Sequence, residues 1–201
     1  MIVPPEQEYS RRNRKVVYTM SMTELSLKKA FMLIEPGPVI LVTTSDGGRN
    51  NIMTISWHMV MDFTPRIALT TGPWNYSFHA LIHTRECVLA IPTVDLAEKV
   101  VAIGDCSGAH VDKFKKFALT PLPATDVKAP LIAECLACLE CRVTDYLKPQ
   151  GIVLLQGVRA WIDNGRKERR TFHANGDGTF VVDGSTMNLR SLMEDKLPPG
   201  V

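Results

Sequence analysis

The sequence predicts a mainly β domain, an antiparallel sheet closed into a barrel with short helices at its ends. Six or seven β-branched or apolar runs recur along the chain, and hairpin or short-loop signals join most of them. No GxGxxG follows the first run, so the dinucleotide turn of a doubly wound parallel sheet is absent. At 201 residues the chain is long enough for one domain with its own core.

Residues 1–22 read as an N-terminal arm and 23–201 as the domain. The arm holds Pro4, Pro5 and the basic run Arg11, Arg12, Arg14 and Lys15. It suits a solvated tail, an arm packed on a partner, or a polyanion contact. Residues 26–34 suit a short helix, with Ser26 as cap and Pro36 and Pro38 beyond its end. Residues 39–44 form a β-branched strand, and Asp46-Gly47-Gly48 supplies a tight hairpin turn. The returning strand is 51–61 and the next is 66–71. Asn75 can cap a helix over 75–82. Residues 87–91 are a strand stopped by Pro92. Asp95 can cap a helix ending near Gly104, and 107–116 pass from loop into a helical turn. Two long strands follow at 131–146 and 152–162. Asn164-Gly165 and Asp177-Gly178 are hairpin signals, the second before a strand at 179–182.

Composition narrows the function. Hydrophobic residues make up 45% and charged residues 22% of the chain, which excludes a disordered, collagen-like or coiled-coil protein. No apolar run approaches the roughly 18 residues of a spanning helix. The start, Met1 to Glu6, has no secretory pattern. A formal net charge of +2 is too small to argue for nucleic acid. The expectation is a cytoplasmic protein with no membrane or nucleic-acid partner. An odd set of five cysteines fits a reducing compartment.

Cys135, Cys138 and Cys141 have metal-like spacing. On a strand, however, Cys135 and Cys141 face one side and Cys138 the other, so they cannot converge on one ion. His79 and His83 lie one helical turn apart, but no HExxH pattern accompanies them. There is also no GxSxG elbow and no Walker A loop. No metal and no protein nucleophile is expected.

Three segments carry the chemistry. The first is 51–57, Asn51-Ile52-Met53-Thr54-Ile55-Ser56-Trp57. Alternation puts Asn51, Met53, Ile55 and Trp57 on one face and Ile52, Thr54 and Ser56 on the other. Thr54 and Ser56 read as ligand-facing hydroxyls or as plain surface, and Trp57 as a ring wall or, with Met53, as core. The second is 72–78, where a strand runs into a helix start. The unpaired N–H groups of that start, with Asn75 and Ser77 beside them, suit a phosphate. The third is Gly104-Asp105-Cys106-Ser107-Gly108 followed by Asp112-Lys113-Phe114. Ser107 and Gly108 permit close backbone approach, and Lys113 can reach a phosphate as a point charge.

In this order and spacing the three segments resemble the flavin reductase-like proteins, which include flavoredoxin. The resemblance covers about residues 37–182. It implies a six-stranded antiparallel split β-barrel of the FMN-binding type. It also implies a homodimer with FMN at the subunit interface, and flavin reduction by NADH or NADPH. The alternative is a flavoredoxin-like electron carrier reduced by a redox protein partner. Asn51, Met53, Thr54, Ile55, Ser56, Trp57, Asn75, Ser77, Ser107, Gly108 and Lys113 are then the cofactor-binding set. Backbone donors near Thr54 to Trp57 would serve the ring, and Asn75, Ser77 and Lys113 the phosphate. The chain departs from its relatives at two places. Pro73 and Trp74 stand where relatives carry a basic residue, and Gly151 where they often carry a histidine. Phe180 falls where relatives tend to have an aromatic residue near the ring.

Overall fold

The computed structural model describes residues 22–34 and 37–200. The expected arm at 1–22 therefore lies outside the described residues except for Met22. That residue is buried and begins β1, Met22–Leu25.

A seven-residue 3-10 helix, Leu27–Leu33, follows where a helix was expected. Its turns close by short bonds such as Lys29 N–H to the Ser26 carbonyl, and the Ser26 side chain makes no cap. Strands β2, Ile40–Asp46, and β3, Arg49–Ile55, form the expected hairpin, with Gly47 and Gly48 both at positive φ in its turn. The strand expected over 51–61 breaks at Ser56 and Trp57. It resumes as β4, His58–Val60, which pairs with β5, Arg66–Thr70.

Helix α1 spans Tyr76–Thr84 and leads into β6, Glu86–Ile91. Helix α2, Ala97–Gly104, follows a single 3-10 turn at Val94–Leu96. Asp95 caps nothing there. Its carboxylate faces Arg166 at 2.8 Å and accepts from the Thr93 hydroxyl. The short α3, Lys113–Lys116, is capped by Asp112, whose side chain accepts from Lys115 N–H. The small ribbon β7, Pro121–Leu122, with β8, Leu131–Ile132, precedes β9, Ala137–Leu147, and β10, Ile152–Asp163. The expected strand 131–146 is thus interrupted, with Cys135 in the gap. Asn164-Gly165 forms no hairpin. The chain leaves the sheet after Asp163 and returns in β11, Phe172–Ala174, paired with β12, Phe180–Val182.

The main sheet runs β3-β2-β6-β9-β10-β5-β4, with β1 added beside β10. Twelve-residue β10 serves two partners on one edge, β5 along Ile152–Gln156 and β1 from Ala160 to Asp163. Its other edge pairs with β9. The two ends of the path, β3 and β4, are joined through Ser56 and Trp57 alone, so the sheet has to curl back on itself. The count exceeds the six strands expected because 51–61 divides in two and β1 adds another.

Period-two alternation fills both faces of the curl. Ile40, Val42, Met53, Ile55, Leu69 and Val153 pack inside. Leu41, Ile52, Val88 and Ala90 face outward onto Val100 and Ile103 of α2 and Phe114 of α3. Those two helices are therefore fixed beside β3, the strand that carries the first predicted segment. Cys135 and Cys138 share the outer cluster, whereas Cys141 points into the inner one. This corrects the facing read from strand alternation, which fails because Cys135 precedes the strand.

A buried carboxylate secures the long connection to the sheet. Glu140 of β9, at 0% exposure, accepts from the N–H groups of Thr125, Asp126 and Val127 and from the Trp161 indole. Among the described residues no helix is long and apolar enough to cross a membrane.

Candidate functional site

Two loops meet the β3 edge of the curled sheet: the turn from β5 into α1 and the turn from α2 into α3. They enclose a cavity of about 290 Å³ lined by Asn51, Met53, Thr54, Asn75, Ser77, Ser107, Gly108 and Lys113. An adjoining cleft of about 260 Å³ is lined by Ile55, Ser56 and Trp57, and shares Thr54 and Asn75 with the first. Every residue of the predicted set thus borders one or both of these adjoining cavities.

One amide keys the three segments together. Asn51 Nδ2 donates to Ser77 Oγ at 2.7 Å, and both residues are buried. Gly108 lies against the same side chain: a Cβ there would stand 2.0 Å from Asn51 Oδ1. Only glycine lets the α2–α3 loop approach this closely.

Asn75 occupies the N-cap position of α1 but does not cap it. Its Nδ2 donates instead to Thr71 Oγ1 at 3.1 Å, so the first turn of α1 has no side-chain cap. An uncapped first turn keeps N–H groups and the positive end of the helix dipole available to an anion.

Thr54 serves two roles. Its hydroxyl donates to the Val100 carbonyl of α2 at 2.7 Å, and its oxygen still borders the cavity. Met53 is core and cavity wall at once. Trp57 is 67% exposed, because the break after Ile55 turns it out of the alternation that would have made it core.

Lys113 is nearly buried. Its Nζ donates to the carbonyls of Ile52 and Ile103, each at 2.8 Å. Burial pushes the ammonium below its ordinary value, opposed in part by Cys106 and reinforced by Lys116. The lysine expected as a free point charge is therefore a tie between β3 and α2 with one N–H left over.

The structure adds residues that the segment pattern missed. Trp74 lines both the cavity and the cleft. Its indole lies across two glycines: a Cβ on Gly72 would stand 2.2 Å from the ring, and one on Gly151 3.3 Å. Gly151 also has φ of +64°. Gly151 thus leaves room for this indole. Tyr76 lines the cavity too, and Arg49 lies with its guanidinium carbon 5.4 Å from the Tyr76 ring centroid. Asp105 supplies a carboxylate on the cavity wall. Phe180 packs edge-on against Phe172 and is not among the residues lining these cavities.

The donors fit a flavin nucleotide. A phosphate finds an uncapped helix start, a serine and a partly committed ammonium. A flat ring finds a cleft flanked by two indoles and the edge of β3, which pairs on one side only. The close approach at Gly108 is made to the Asn51 amide and so sets the position of the α2–α3 loop on the cavity wall.

Comparison with known proteins bears on the family and the fold. A family model described as the flavin reductase like domain matches residues 32–179. The protein YddH of Escherichia coli K12 is 29% identical over 178 residues, covering 80% of this chain and 94% of YddH. An uncharacterized protein of Archaeoglobus fulgidus is 33% identical over 116 residues, 57% of this chain and 66% of that protein. Among solved structures, the FMN-binding domain of a flavin reductase-like enzyme from Shewanella baltica has a TM-score of 0.76 at 22% identity. That alignment covers 83% of this chain and 96% of the other. Flavoredoxin of Desulfovibrio vulgaris gives 0.70 at 21% identity, over 76% and 89% of the two chains. At these identities the two structures share the fold.

Proposed function

The chain belongs to the flavin reductase-like family, and we propose that it is an FMN-binding oxidoreductase working as an NAD(P)H-dependent flavin reductase. The observation that supports this most is the meeting of three distant segments, 51–57, 72–78 and 104–114, around two adjoining cavities that share Thr54, Trp74 and Asn75, one lined by Ser77 and Lys113 and the other by Ser56 and Trp57.

Bound FMN would supply the redox chemistry, accepting a hydride from reduced nicotinamide and passing electrons to an acceptor. The protein's own groups bind and orient. Ser77, Asn75 and the remaining N–H of Lys113 would hold the phosphate, with the dipole of α1 behind them. Backbone N–H groups near Thr54 to Trp57, and the Thr54 and Ser56 hydroxyls, would face the ring edge and its side chain. Fixed donors there favour negative charge on the reduced ring. Trp57 and Trp74 would flank the ring. None of these residues is asked to act as a nucleophile.

A homodimer in the cytoplasm fits the same reading. Trp57, Met59, Met61 and Phe63 are exposed just before, along and just after edge strand β4, and Trp57 lines the cleft. A second copy over this stripe would bury apolar area and close the site.

The test is optical. Purified protein with FMN should consume NADH or NADPH, followed at the reduced-nicotinamide band. If that band stays flat with both donors while dithionite still bleaches bound flavin, the reductase reading fails. The flavoredoxin-like carrier, reduced by a protein partner, then takes its place. That reading has support in the similarity to the D. vulgaris flavoredoxin fold.

A further inference from the structure

Another cavity, of about 190 Å³, shares Asn51, Tyr76 and Ser77 with the first and is lined also by Thr44, Arg49 and His79. Thr44 is at 0% exposure, and its Oγ1 has no hydrogen-bond partner among the described residues. A buried hydroxyl without a partner in the fold is a donor left for a water or an anion in the cavity.

Arg49 lines this cavity. Its Nη2 donates to the carbonyls of Gly108 at 2.5 Å and Ala109 at 3.3 Å. Its Nε and Nη1 have no partner among the described residues. Ser77 Oγ accepts from Asn51, so its own proton is free to donate. The nine-residue helix α1 starts here without a side-chain cap. The wall also carries Asp46, whose Oδ2 faces His83 Nδ1 at 3.0 Å. An anion could settle beside that carboxylate only with the Arg49 charge present.

The geometry points to this cavity as an oxyanion subsite that completes the phosphate end of the flavin site, with Arg49 as its cation and Thr44 and Ser77 as hydroxyl donors. This rests on the flavin-nucleotide reading above. A phosphate monoester presents three terminal oxygens, and Lys113 has one uncommitted N–H to offer. Arg49 supplies the charge that Pro73 and Trp74 do not. The hairpin turn that starts β3 carries it to the place, and the Tyr76 ring holds it there.

The experiment titrates the purified wild-type chain, Arg49→Gln and Thr44→Val with FMN, riboflavin and inorganic phosphate, reading flavin fluorescence and thermal unfolding. FMN should bind about tenfold or more weakly to Arg49→Gln and a few-fold more weakly to Thr44→Val, while riboflavin changes less than about twofold. Thr44→Val should melt no lower than wild type, because a methyl replaces an unpaired hydroxyl, so its loss of FMN affinity is not misfolding. Equal losses for FMN and riboflavin, or no loss for either, overturn the subsite. If wild type binds neither flavin yet phosphate stabilises it in an Arg49-dependent way, the subsite stands and the flavin reading falls. No Arg49-dependent response to FMN or to phosphate overturns it.

Discussion

Asn51 Nδ2 donates to Ser77 Oγ at 2.7 Å, tying the exit of the first hairpin to the start of α1 across 26 residues of chain. Gly108, from the third segment, rests on the same amide. Asn51 is thus the point at which the site is assembled. Asn51→Ala leaves the buried Ser77 hydroxyl unpaired and opens a gap beneath the loop. It should cost about 1–3 kcal/mol of stability, read by urea unfolding, and weaken FMN binding as well. Gly108→Ala should weaken FMN binding by displacing the loop, because its Cβ would strike Asn51. Unchanged flavin affinity in both variants would dissociate this amide from the site.

The legible part of the site was the part written in local pattern. Asp46-Gly47-Gly48 fixes a hairpin through φ alone, and alternation along Asn51 to Ile55 assigns faces correctly. Both failures of alternation have a local cause. The strand ends at Ile55, so Trp57 turns outward, and Cys135 precedes its strand, so it joins Cys138. The committed state of Lys113 was not legible, because Ile52 and Ile103 reach it only after α2 packs on β3. Arg49 was missed for a similar reason. It looks like a hairpin-end cation until the Gly108 loop and Tyr76 close over it. Trp74 has a trace in the sequence, since Gly72 and Gly151 both lack the side chain that would displace it. Only the fold brings those two glycines together.

Trp74 should report on flavin. Its indole lies on Gly72 and Gly151 beside the cleft, so FMN binding should quench its emission. Trp74→Phe should remove most of the quenching that remains when Trp57 is also replaced by Phe. Gly72→Ala places a Cβ 2.2 Å from the ring and must evict the indole. The same titration on Gly72→Ala should show weaker FMN binding and less quenching. Full quenching in Gly72→Ala would place the indole elsewhere.

Glu140 should matter to the fold more than to the ligand. Its buried carboxylate accepts from three backbone N–H groups and the Trp161 indole, and it is not among the residues lining the cavity. Glu140→Gln puts an N–H₂ among donors, leaving some of them unpaired. It should lose about 1–3 kcal/mol in chemical denaturation with flavin affinity close to wild type in the folded baseline. A flavin-specific loss at unchanged stability would reverse that assignment.

Lys113 carries the sharpest pH prediction. Burial lowers its ammonium below the ordinary 10.5. Below the lowered value it is charged in both folded and unfolded chains, and the burial penalty is fully present. Between the lowered value and 10.5 the folded chain binds fewer protons than the unfolded one, so this residue's contribution to stability rises with pH. Phosphate affinity moves the other way, because the charge that attracts the dianion is lost in the same window. FMN titrations against pH should therefore weaken as thermal unfolding of the free protein gains from this residue. Lys113→Met should flatten the alkaline limb of both curves. It should also weaken FMN binding at neutral pH by about 1–3 kcal/mol, the loss of a charge-assisted hydrogen bond. An unchanged alkaline limb of FMN affinity in Lys113→Met would confine this lysine to tying β3 to α2, with no part in holding the phosphate.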